Sequence, residues 1–175
     1  MKTTPSLILM LFCAVSGQQL LSAATASDDA IWKPFQFMMG DWVGSGSGKP
    51  GQGKGEFSLN FDLDHKILIR RNRNQLAPKP GEQAGSIHED LMIIYPASQE
   101  HTFRADYFDN EGHVIHYSVS VADGKATFQS DDAGGGPRFR LTYELKSGGE
   151  LAIEFAIAPP GKPFQTYVAG TVTRK

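Results

Sequence analysis

The side chains able to do chemistry are few and scattered. The 175 residues hold five histidines and one cysteine. His113 and His116 stand three apart, and in a strand that spacing sends them to opposite faces, so they would not share a metal ion. His88-Glu89-Asp90 sets a histidine beside two carboxylates, yet adjacent strand residues diverge as well. His65 and His101 adjoin turns. For each histidine the plainer alternative to a haem or metal ligand is a solvated or hydrogen-bonded strand residue. Arg70-Arg71-Asn72-Arg73 is the basic cluster. Arg71 and Arg73 share one face of a strand. Pointing inward, they could anchor a carboxylate by bidentate hydrogen bonds; pointing outward, they are solvated charge. Ile67 and Ile69 lie on the same face, which favours an inward or rim position. Arg104, Tyr107, Tyr117 and Tyr167 are further polar candidates. Neither a G-x-S-x-G elbow nor an H-E-x-x-H motif occurs. A barrel-based isomerase or hydrolase would require converging cavity residues with shifted pKa values, and no spacing announces them.

Gly40-Asp41-Trp42-Val43-Gly44-Ser45-Gly46-Ser47-Gly48 reads G-x-W-x-G-x-G-x-G. Glycines at period two on the Trp42 face remove side chains from one strip of a strand, which permits a sharp bend and keeps space open inside. Trp42 could then plug an end, given a partner for its N–H. Two phosphate-loop readings of this stretch fail. Gly46-Ser47-Gly48-Lys49-Pro50-Gly51 matches G-x-G-x-x-G, but Pro50 and Gly51 forbid the helix that would receive a pyrophosphate. Gly48-Lys49 is followed by proline where a Walker loop needs Ser or Thr.

Residues 1–26 have the three parts of a secretory signal peptide. Lys2 supplies the positive start, Leu7 to Val15 the apolar core, and Ala24-Thr25-Ala26 the cleavage site. The apolar run is shorter than the ~20 residues that span a bilayer, so no membrane span is expected in the mature form. Cys13 leaves with the leader, so the mature protein would have no disulfide and no thiol nucleophile. No Asn-x-Ser/Thr sequon is present. A secreted or periplasmic protein is therefore expected. Lys plus Arg number 17 against 19 Asp plus Glu, a net charge of −2, which lacks the basic excess of a nucleic-acid partner.

The residues beyond the leader must position whatever site exists. Residues 28–39 form the single helical candidate, with Ile31, Trp32, Phe35, Met38 and Met39 near one face and Asp28 or Asp29 as a cap. After it, alternation with turn signals predicts strands near residues 56–64, 66–76, 87–95, 101–108, 113–121, 126–130, 138–146, 151–158 and 164–174. Phe57, Leu59, Phe61 and Leu63 form one inward set, and Phe139, Leu141, Tyr143 and Leu145 another. With the Trp42 segment there are ten strands, joined mostly by hairpin-sized turns. The reading is an all-β, ten-stranded antiparallel up-and-down barrel with a short N-terminal helix, a single domain over 27–175. Closure removes the two edges an open sheet would expose. A two-sheet sandwich or jelly roll is the alternative. Ten strands make a barrel wider than the eight-stranded kind, so a ligand cavity is expected.

The G-x-W at a barrel start resembles the calycin signature, and the longer glycine run resembles the nitrobindin-like barrels, which are ten-stranded and lipocalin-like. Thr171 to Lys175 is similar to their closing strand, and the overall pattern is similar to secreted bacterial domains of unknown function. The resemblance implies haem held by a histidine of the last strand. Residues 164–175 contain none, and the corresponding position falls near Gly170, where a small residue could enlarge the cavity instead. The expectation is thus a barrel that binds a small, mostly apolar molecule, with no cofactor assigned and haem as the alternative. Trp42, Phe57, Phe103 and Tyr167 are the expected lining, and Arg71 and Arg73 the expected polar anchor.

Overall fold

Alternating apolar and polar residues between turn formers make strands that must bury one face. The computed structural model describes residues 30–175 other than 79, 82, 99–101 and 133. Its strands are β1 (Gly40–Gly48), β2 (Gly53–Asp62), β3 (Ile67–Leu76), β4 (Ile87–Pro96), β5 (Phe103–Asp109), β6 (Val114–Ala122), β7 (Lys125–Ser130), β8 (Arg138–Leu145), β9 (Leu151–Ala158) and β10 (Gln165–Arg174). Each pairs antiparallel with its neighbour in sequence, and β1 pairs with β10, so the sheet closes into a barrel and no sandwich forms. The leader, and with it the cleavage site, lies outside the described residues.

The helical segment differs from the expectation. It is a 3-10 helix, Lys33–Met38, with proline in its first turn. Trp32, Phe35 and Met38 recur every third residue and are fully buried. A helix of three residues per turn stacks them on one side, whereas an α-helix would spread them. Asp28 and Asp29, the expected caps, lie outside the described residues.

That apolar stripe closes one end of the barrel. The Trp32 and Phe35 rings meet Phe103 at 5.2 and 5.0 Å. Trp32 donates its indole N–H to the His65 carbonyl at 2.8 Å, and Trp42 donates to the Met38 carbonyl at 3.0 Å. Arg174, near the end of β10, donates to the Met39 carbonyl at 2.7 Å while its guanidinium lies 4.5 Å from the Trp42 ring. Leu63 departs from the expected inward set. With Asp64 and His65 it forms a left-handed turn between β2 and β3, and it is 65% exposed. Leu145, the last residue of β8, is also exposed.

The β1 glycines serve the seam with β10. A Cβ on Gly44 would sit 2.1 Å from the Thr171 carbonyl oxygen, and one on Gly48 would sit 2.2 Å from that of Tyr167. Backbone packs directly on backbone there. The glycines thus set a close approach of two strands, and Gly44 and Gly46 also border open space inside the barrel.

Candidate functional site

Large buried side chains fill the half of the barrel nearest the 3-10 helix. The other half is hollow. It encloses a cavity of about 710 Å³, reached between the β1–β2 and β5–β6 turns. Three walls can be told apart. Gly44, Gly46, Gly53, Gly55 and Gly170 make a wall of bare backbone. Ile115, Phe139, Leu141, Ile153, Phe155 and Ile157, from β6, β8 and β9, make an apolar wall. The third wall, from β3, β4, β5 and the turn after β5, is polar.

The polar wall is built from residues two apart on neighbouring strands, which strand periodicity places on one face. Arg70 and Asn72 come from β3, His88 and Asp90 from β4, and Tyr107 and Asp109 from β5. The registers bring Arg70 opposite Met92, Asn72 opposite Asp90 and Asp90 opposite Asp109. At the inner end the Arg70 Nη1 donates to Asp90 Oδ1 at 2.5 Å, and Asn72 Nδ2 donates to Asp90 Oδ2 at 2.7 Å. The guanidinium lies between the rings of Phe57 and Tyr143, 5.8 and 5.7 Å from their centroids. Burial alone would lower the Arg70 pKa, but the Asp90 charge, the Tyr143 and Tyr107 hydroxyls and the hydrogen bond to Asp90 together outweigh it, and the group stays cationic.

Further out, hydrogen-bond accounting fixes the state of His88. The Tyr107 hydroxyl donates to Asp109 Oδ2 at 3.1 Å, so its oxygen accepts from His88 Nε2, also at 3.1 Å. His88 Nδ1 faces Glu111 Oε1 at 3.2 Å. Acceptors on both ring nitrogens call for the imidazolium. The His88 pKa is accordingly raised, first by its contact with Asp90 and then, against burial, by Glu111. Asp109 accepts from the N–H groups of Glu111 and His113 at 3.0 and 2.9 Å, from Tyr107, and from His113 Nδ1 at 2.8 Å. Burial would raise its pKa, but these bonds prevail and lower it. Tyr107 is pushed upward by burial and by the Asp90 and Asp109 charges, so it remains a neutral hydroxyl. A connected polar chain therefore runs from Arg70 at the inner end to His113 at the mouth. Two buried atoms at its inner end lack a hydrogen-bond partner, Arg70 Nε and the Tyr143 hydroxyl. Burial lifts Tyr143 to about 12.

Of the residues expected to line a pocket, Phe57 and Tyr167 border this cavity. Tyr167 sits at a β-bulge in β10, where the register shifts between Thr166 and Val168; a bulge re-aims a side chain in this way. Trp42 and Phe103 belong to the packed end instead. Arg71 and Arg73 point outward, and the inward or rim placement is corrected: the buried face of β3 carries Leu68 and Arg70. Arg71 and Arg73 border an outer groove of about 620 Å³, and Arg73 pairs with Glu89 there at 3.1 Å. Arg104 binds Asp131 and Ser118 on the outer surface. Tyr107 and Tyr117 face the cavity, as does His88, while His113 lies at its mouth. His116 pairs outside with Asp106 at 2.6 Å, His65 stacks on Phe61 at the closed end, and His101 lies outside the described residues. Sequence reasoning passed over Arg70, Asn72, Asn74, Asp109 and Glu111. It also read Asp90 only beside His88 in sequence. The available signal was polar pairs two apart in three successive strands.

A haem ligand at the last-strand position does not fit. Gly170 carries no side chain, and a Cβ there would lie 2.7 Å from the Ser45 carbonyl oxygen. Among the described residues no group of three or more His, Cys, Asp or Glu side chains is arranged to hold a metal ion.

No family model matches the chain, and no curated protein matches it in sequence. Solved structures do match in fold. Rv2717c from M. tuberculosis superposes with a TM-score of 0.58 at 12% identity, over 83% of this chain and 97% of that one. The S-type phycobiliprotein lyase CPES from Guillardia theta gives 0.53 at 11% identity, over 83% and 92%. These are ten-stranded barrels of the calycin-like kind, and this chain has that fold.

Proposed function

We propose that the protein is an exported β-barrel that binds a small, mostly apolar molecule in its cavity. The observation that carries this reading is the hollow half of the barrel, about 710 Å³, with an apolar wall facing a polar one. That volume lies within the range of small-molecule sites, roughly 300–1,000 Å³, and the few convergent polar groups can orient a guest. Export rests on the leader-like residues 1–26. The calycin-like fold supports the reading, and the nitrobindin-like resemblance of the G-x-W-x-G-x-G-x-G strand agrees with it; haem would need a ligand other than position 170.

The test is native mass spectrometry of the full chain expressed with its leader in a Gram-negative host and purified from the periplasm. A leaderless mass with a stoichiometric small-molecule adduct is the expected result. A chain retained in the cytoplasm would overturn export, and a bare mass after incubation with a broad metabolite extract would overturn binding. The contacts of His88 with Tyr107, Asp90 and Glu111 favour a second reading, a barrel-based enzyme with imidazolium His88 as proton donor. An adduct whose mass changes on incubation, and does not change in His88→Gln, would decide for it; an unchanged adduct decides for a carrier.

A further inference from the structure

The charges that line the cavity already have partners. Arg70 pairs with Asp90, His88 with Asp90 and Glu111, Asp109 with His113, and Glu56 with Lys175. Two lining polar side chains without a partner among the described residues are neutral, and they mark the two ends of the space. Tyr117, on β6, stands at the inner end. Its ring meets Phe128 of the packed half edge-on at 6.3 Å and Tyr107 of the polar wall at 6.4 Å. It is 1% exposed and lines the cavity, and its hydroxyl makes no hydrogen bond to a described residue. Arg70 Nε and the Tyr143 hydroxyl are the unpartnered atoms sealed from open space. The Tyr117 hydroxyl is not one of them, so it opens on the cavity. Burial raises its pKa, and it stays a neutral group able both to donate and to accept.

Asn74 lies toward the mouth, four residues from Arg70 along β3, which is about 13 Å of strand. Its side chain leans over Gly55 of β2, where a Cβ would overlap Asn74 Oδ1. The glycine thus makes room for an amide on the cavity wall, and that amide makes no hydrogen bond to a described residue. A charged guest finds no free counter-charge between these two ends. An anion beside Asp109 and Glu111, or a cation beside Arg70 and His88, would break a standing pair or lie buried without compensation. A wholly apolar guest would cover Tyr117 and Asn74 and pair with neither.

Resting on the reading of a small-molecule barrel, we infer that the cavity selects elongated, uncharged guests with a hydrogen-bonding group at each end, the inner one meeting the Tyr117 hydroxyl and the outer one the Asn74 amide. The apolar middle of the guest lies against Phe139, Leu141, Ile153 and Phe155. A group that both donates and accepts, such as a hydroxyl, suits either end. The discrimination works as it does in sites built to hydrogen-bond one substrate group, where an analogue lacking that group leaves a covered polar atom unpaired.

Three fluorescent probes of one shape separate the possibilities. They are trans-4,4′-dihydroxystilbene, trans-stilbene and the trans-stilbene-4,4′-dicarboxylate anion. Titrated into the purified protein at neutral pH, the diol should bind about tenfold tighter than either of the others. Tyr117→Phe removes a hydroxyl that holds nothing else in the fold, and Asn74→Ala removes the amide. Each should weaken the diol about threefold and leave trans-stilbene unchanged, and the double variant should bind the two equally. If a variant fails to fold, the ranking of the probes in the unsubstituted protein decides alone. A stilbene or a dicarboxylate that binds as tightly as the diol, or a diol affinity unchanged in either folded variant, overturns the inference and leaves the small-molecule reading standing. If none of the probes binds, the inference falls, and the native mass spectrum by itself decides the small-molecule reading.

Discussion

Removing Asp90 should do more damage than any other single loss in the polar wall. Its carboxylate is 4% exposed and is bound by Arg70 at 2.5 Å and Asn72 at 2.7 Å. Asp90→Ala leaves a guanidinium, itself 6% exposed, without a counter-charge and strands the Asn72 amide. Breaking a buried pair from one side costs about 3–5 kcal/mol. That is a large share of the ~5–15 kcal/mol that stabilises a typical domain. A domain of this size loses roughly 2–4 °C of Tm per kcal/mol, so the melting point should drop by about 6–20 °C. The partner experiment is Arg70→Met with Asp90→Leu. Deleting both charges removes the desolvation cost along with the attraction, so the double variant should lie within about 1 kcal/mol of the parent or above it. Urea unfolding followed by tryptophan fluorescence measures both, because Trp32 and Trp42 are fully buried at the closed end. A single variant that loses less than about 1 kcal/mol would show that Arg70 is not held as a desolvated cation. A double variant as weak as the single one would show that packing, not charge, is what Asp90 supplies.

Gly44→Ala should cost at least about 1–3 kcal/mol, because its Cβ would lie 2.1 Å from the Thr171 oxygen, whereas Gly148→Ala, with nothing within 4 Å, should change little. Hydrogen exchange of the β1 and β10 amides distinguishes a parted seam from global loss, and equal effects at both glycines would refute the close-approach argument. His88 has a raised folded-state pKa, so its contribution is complete below the ordinary histidine value of about 6.5 and is lost as pH rises through the raised value. Denaturation midpoints of the parent should therefore fall across that window, and His88→Gln should flatten the fall; a His88 proton resonance titrating at or below 6.5 would contradict the assigned contacts. Trp42→Phe strands the Met38 carbonyl that now accepts at 3.0 Å, for a loss of about 1–3 kcal/mol by the same unfolding assay.

Strand content and closure were legible because they rest on local alternation and turn chemistry. The expected 151–158 strand is β9 as observed, and the 87–95 strand differs from β4 by one residue. Strand phase was harder. Residues 67–69 read Ile-Leu-Ile, apolar on both faces, so β3 carries no local sign of which face is inward. The phase is set by its partners: Leu68 faces Ile94 across β4 and Asn72 faces Phe57 across β2. With the Ile67 face inward, Arg71 and Arg73 would point inward and Arg70 outward. The helix type was not legible, because Ile31 and Met39 beside Trp32, Phe35 and Met38 fit one face at 3.6 residues per turn, and only burial singles out the every-third set. The cross-strand contacts of His88 with Tyr107 and Glu111 join residues 19 and 23 apart, beyond any local window.

The two halves of the barrel depend on one another. A ten-stranded barrel is too wide for its own side chains to fill unless large ones are supplied. Trp32, Phe35, Trp42 and Phe103 supply them at one end, and the 3-10 helix fastened by Arg174 holds them there. Core stability is concentrated in that half, so the other half can remain open. Within the open half the polar wall satisfies nearly all of its own hydrogen bonds, with Asp109 accepting four and Asp90 bridging β3 to its own strand β4. A guest gains little by competing for those groups, since each bond it made would replace one already present. Affinity should then come from apolar area on β6, β8 and β9. Exchanging Phe139 or Phe155 for alanine should therefore weaken binding of a neutral naphthalene probe, whereas Asn72→Ala should change it little. The reverse pattern would mean that the polar wall, and not the apolar one, supplies the binding energy.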